Sequence, residues 1–79
     1  MKIVVFKGDK KAYEGSPIND DGTFPKEMPE PVRSYLNSAW DYWKDFYEGD
    51  FSRFWVEYVS SRMPSHLGLA MQGFSFILE

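Results

Sequence analysis

The chain has 79 residues, of which 43% are hydrophobic, 27% charged and 19% aromatic, with a formal charge of −3 and no cysteine. So short a chain has surface enough for one core, so a single domain over 1–79 is expected. Disulfide scaffolds and thiolate metal sites are excluded, and a lone histidine, His66, excludes a His-rich metal centre.

Fifteen aromatic residues carry far more apolar surface than a disordered chain does. Each buried ring removes on the order of 150–250 Å² from water. In a domain below roughly 80 residues, where net stability is only about 3–5 kcal/mol, large rings take the place of a disulfide. Most of them are therefore expected in the core.

The chain opens on a hairpin pattern. Lys2 to Phe6 is β-branched and aromatic, Gly8-Asp9 stands where a two-residue turn belongs, and Lys10 to Glu14 returns alongside. Its lysines suit a strand pair whose edge must stay soluble. The apolar run between Lys2 and Lys7 is too short for a signal sequence or a membrane span, so a cytoplasmic location without membrane contact is expected.

Residues 15–31 form a connector rich in Gly and Pro, with the turn signal Asn19-Asp20-Asp21-Gly22. Ile18, Phe24 and Met28 recur along it and are expected to pin it to the body. It reads either as a packed crossover or as a binding loop over 19–30.

The strongest pattern follows. Val32, Tyr35, Leu36, Ala39, Trp40, Trp43, Phe46 and Tyr47 fall on one face of an α-helix. Pro31 suits the first turn, and Gly49 is placed to end the helix in the left-handed conformation. Asp50 then caps a second segment, in which Phe51, Phe54, Trp55, Tyr58 and Val59 keep helical spacing up to Pro64. Phe54 to Val59 is also rich in strand formers, so helix and strand both stand as readings. An unbroken helix from 31 to 62 would run about 48 Å, so a break at Gly49 or a dimer is expected.

In the tail, Leu69 to Leu78 reads as a strand with Ala70, Phe74, Phe76 and Leu78 on one face and Gly73 as a bulge or close approach. The expected fold is α+β: a small antiparallel sheet, N-terminal hairpin plus C-terminal strand, packed by one long amphipathic helix and a second helical or strand segment.

Chemistry has little to stand on. Ser65-His66 is the one serine beside a histidine, and sequence neighbours rarely face each other. Asp20-Asp21 lacks calcium-loop spacing, and no Gly-rich phosphate loop is present. No enzyme activity, cofactor or metal is expected. Direct nucleic-acid binding is disfavoured by a pI near 5.0.

Charge placement is more informative. Residues 1–18 carry Lys2, Lys7, Lys10 and Lys11 against Asp9 and Glu14; residues 19–50 carry eight acids against Lys26, Arg33 and Lys44. Asp41, Asp45 and Glu48 project from the helix face opposite the Trp40/Trp43 stripe, broken by Lys44. Carboxylates at such spacing lie about 5–6 Å apart by helix rise, close to the separation of backbone phosphates, so an acidic helix suits a basic groove built for nucleic acid.

A protein-interaction module is the reading these features favour, because Trp, Tyr and Arg dominate interface hot spots. Trp43 and Tyr47 are the expected anchors, Asp41, Asp45 and Glu48 the steering charges, and Asp20 and Asp21 part of an adaptable loop; Val56, off the second stripe, is expected to leave apolar area exposed. In size, acidity and aromatic content the chain resembles small phage or mobile-element inhibitors, anti-CRISPR proteins among them. The resemblance implies an inhibitor that occupies a surface of a larger protein complex, and it carries no particular site residues. The competing reading is a homo-oligomeric assembly subunit whose aromatic stripes pair with copies of themselves, so monomer and homodimer both stand.

Overall fold

A computed structural model describes all 79 residues. The hairpin forms as its pattern predicts: β1 (Ile3–Lys7) pairs antiparallel with β2 (Lys10–Gly15), with a register shift between Val5 and Phe6. The third strand, β3 (Phe74–Leu78), pairs antiparallel with the other side of β1, matching Val5 to Phe76, and gives the order β2-β1-β3. Alternation sends Ile3, Val5, Phe74, Phe76 and Leu78 to the helix-covered face. The α+β architecture expected from the sequence is the one observed.

The connector is a packed crossover. Pro17, Phe24, Pro25 and Met28 are buried, and the Phe24 ring lies 6.1 Å from that of Phe51. It leads into α1 (Glu30–Trp43), with Pro31 in its first turn and Val32 and Leu36 fully buried. A short segment then leads to the second helical stretch. Its first piece, α2 (Phe51–Phe54), is capped by the Asp50 carboxylate, which accepts from the Arg53 amide at 3.2 Å.

The second stretch is helical, which excludes the strand reading. It passes through a π turn over Trp55–Val59, where the Ser60 amide reaches back to the Trp55 carbonyl, and finishes as α3 (Ser60–Arg62). A π turn advances through a smaller angle per residue than an α turn. The extra residue therefore brings Val59 and Met63 back onto the face of Phe54 and Trp55, and all four are buried.

The tail departs from the expected long strand. Leu67–Met71 is a helical turn, α4, whose first amides are capped by His66: its Nδ1 accepts from the Leu69 amide at 3.3 Å. Leu69 rather than Ala70 enters the core, and Ala70 is exposed. Gly73 is not a strand bulge. At φ +86° it reverses the chain between α4 and β3, and its carbonyl accepts from the Gly8 amide at 2.8 Å. No helix is long and apolar enough to cross a membrane.

Candidate functional site

The end of α1 carries an exposed corner of aromatic rings and carboxylates. The helical ladder continues past Trp43 with the Lys44 amide on the Trp40 carbonyl, then skips Asp45 and Phe46, whose amides meet no backbone acceptor. The ladder resumes with the Tyr47 amide on the Trp43 carbonyl, and Phe46, one turn on from Tyr42, faces solvent with it. By spacing it belonged to the buried stripe, yet it is 62% exposed, and its neighbour Tyr42 is 78% exposed. Trp43 joins the exposed rings to the body. It meets Tyr42 edge-on at 5.2 Å and Phe46 at 5.6 Å, and packs against Tyr58 at 5.5 Å. Exposed aromatics tethered to a rigid core in this way supply binding area at low entropic cost.

Around these rings stand Asp41, Asp45 and Glu48, all exposed as their helical positions predict. Lys44 reaches the Asp41 carboxylate at 3.2 Å, while Asp45 and Glu48 form no ion pair. The placement is unfavourable for the isolated chain, because the carbonyl end of a helix carries partial negative charge and each acid there costs on the order of 0.3–1 kcal/mol.

Glu48 adds backbone strain. The Gly49 amide bonds to the Lys44 carbonyl at 2.8 Å and the Glu48 amide to the Asp45 carbonyl at 3.1 Å, a paired closure of the Schellman type. In that closure the left-handed position falls on Glu48, at φ +54°, one residue before the glycine expected to fill it; Gly49 follows at φ +75°. A glutamate where glycine is preferred, at the wrong end of a helix dipole, is poorly explained by stability alone.

Two of the expected partner-binding groups lie elsewhere. Tyr47 is only 6% exposed; its ring packs on Phe54 at 5.8 Å under the Arg53 guanidinium, so it belongs to the core and Tyr42 and Phe46 take its place on the surface. Asp20 and Asp21 sit in the connector's turn, apart from the corner. Asp21 Oδ1 accepts from the Thr23 amide and hydroxyl, at 3.0 and 2.6 Å, which lowers its pKa and closes the loop on itself.

That loop forms one wall of the single cleft, about 320 Å³, opposite Glu30, Arg33, Ser34 and Asn37 of the first turns of α1. The Ser34 hydroxyl donates to Glu30 at 2.5 Å and Arg33 pairs with the same carboxylate, so Glu30 is held below its usual range. The cleft thus offers a satisfied ion pair and no free acid or base.

Ser65 and His66 are separately occupied. The Ser65 hydroxyl donates to the Arg62 carbonyl at 3.4 Å, and His66 presents its Nδ1 to α4 and its ring edge to Tyr35 at 4.6 Å. Burial pushes the Tyr35 phenol up to about 12, with Tyr58 beside it adding to the effect. No three carboxylate or imidazole groups converge closely enough to share a cation. No family model, curated protein or solved structure matches this chain.

Proposed function

We propose that this chain is a non-enzymatic protein-interaction module whose acidic, aromatic corner occupies a basic surface of a larger protein complex. The observation that carries the reading is the coincidence, at one helix end, of two strongly exposed rings with three carboxylates, of which only Asp41 is closed into a salt bridge. Rings of this kind act as anchors, while uncompensated carboxylates raise the association rate with a basic surface. The action proposed is inhibition, by steric occlusion or by standing in for the phosphates of a nucleic acid, in the manner of small phage-type inhibitors such as anti-CRISPR proteins; the setting proposed is the cytoplasm.

The test is comparative capture from a lysate of the native cell, using the wild type, an Asp41→Lys/Asp45→Lys/Glu48→Lys variant and a Tyr42→Ala/Phe46→Ala variant. The expected result is a protein retained by the wild type, lost by both variants, and released by a competing oligonucleotide. The same capture by all three chains would refute the reading. The second reading, self-association through the aromatic stripes, is weakened because Val32, Leu36, Phe54, Trp55 and Val59 are buried within one chain.

A further inference from the structure

The two edges of the sheet are defended unequally. β2 carries Lys10, Lys11 and Glu14 and opens next to a register shift, both devices that discourage pairing with another chain. β3, Phe74-Ser75-Phe76-Ile77-Leu78, has no charge, no proline and no bulge. Its hydrogen bonds to β1 follow the antiparallel alternation set by Lys2 and Glu79, which exchange bonds of 3.0 and 2.8 Å. The bonded pairs are then Val4 with Ile77 and Phe6 with Ser75, continuing to the Gly8 amide on Gly73. Phe74, Phe76 and Leu78 therefore turn their amides and carbonyls to the open edge, where no backbone or side-chain group meets them.

We propose that β3 pairs with β3 of a second copy of this chain, antiparallel about a twofold axis at Phe76. Three outward-facing residues spaced evenly about Phe76 make that register self-complementary. Phe76 exchanges bonds with its twin, Phe74 with Leu78 of the other copy, and the two sheets become one of six strands. On the outer face Ile77, 51% exposed, comes to lie across from Ser75 and continues the apolar strip of Val4 and Phe6. This edge is distinct from the acidic corner, and the pairing stands or falls independently of what that corner binds.

The test is sedimentation velocity from micromolar to millimolar concentration, with hydrogen exchange resolved by residue. The wild type is expected to dimerise, with the Phe74, Phe76 and Leu78 amides protected only at high concentration and those of Ser75 and Ile77 protected throughout. Ser75→Lys/Ile77→Lys changes two exposed side chains and no bonded backbone group; circular dichroism is expected to show a folded chain whose self-affinity is at least about tenfold weaker. A wild type that stays monomeric over the whole range overturns the proposal. So does a dimer of unchanged affinity in the variant, or one that leaves the Phe76 amide unprotected.

Discussion

Glu14 shows how a single exposed residue sets a pH limit. Hydrogen bonds from Lys11 at 2.6 Å and Lys2 at 2.8 Å hold its carboxyl down at about 2, against an ordinary 4.5. A depressed folded-state pKa stabilises fully above the unfolded value, and the contribution is lost as pH falls through the folded one. Thermal stability should therefore fall as pH drops from 4.5 to about 2. Glu14→Gln should flatten part of that slope, the remainder belonging to Asp21 and Glu30, which shift in the same direction. Two phenylalanines separate core from surface. Phe54 is fully buried among Trp40, Tyr47, Phe51 and Tyr58. Phe54→Ala should cost about 3–5 kcal/mol, as much as the whole net stability of so small a domain, and leave the chain largely unfolded by circular dichroism. Phe46→Ala, on an exposed ring, should change the unfolding free energy by no more than about 0.5 kcal/mol. The sequence pattern did not separate these two, because Phe46 falls at the margin of the stripe, one turn on from exposed Tyr42, where spacing alone assigns it to the buried face.

At the scale of elements, local signals were legible where one residue dictates the backbone. The Gly8-Asp9 turn, Pro31 in the first turn of α1, and the Asp50 cap all stand where their chemistry puts them. Two elements were not legible. The π turn at Trp55–Val59 leaves the helical spacing of its residues intact, so only the packing of Val59 and Met63 discloses it. The α4 turn is too short for a periodic signal, and its cap, His66, carries no capping signal because imidazole acceptors are uncommon at that position. The closure after α1 was displaced by one residue, with Glu48 in the left-handed position that Gly49 was expected to hold. Glu48→Gly should therefore stabilise the chain by roughly 0.5–1 kcal/mol in urea unfolding, since relief of a strained left-handed residue exceeds the added flexibility of the unfolded chain. The same substitution should weaken binding to the captured partner. A gain in stability joined to a loss of affinity would mark Glu48 as placed for recognition.

Over the whole molecule, charge is divided between a lysine-bearing hairpin and an acidic end of α1, a separation that the sequence already displays and the fold preserves. The acidic members of the site were legible because all three lie off the apolar stripe. The aromatic members were only half legible, since Tyr42 lies off the apolar stripe whereas Phe46 falls at its spacing and is nonetheless exposed. On the proposed reading the corner acts on a basic partner through long-range attraction, an effect that belongs to the association rate and is screened by salt. The most direct test is the association rate of the wild type and the Asp41→Lys/Asp45→Lys/Glu48→Lys variant with the captured partner at low ionic strength. A rate at least about tenfold slower for the variant, with the difference shrinking as salt is added, is the predicted result. Equal rates at low salt would contradict the assignment of recognition to the acidic corner.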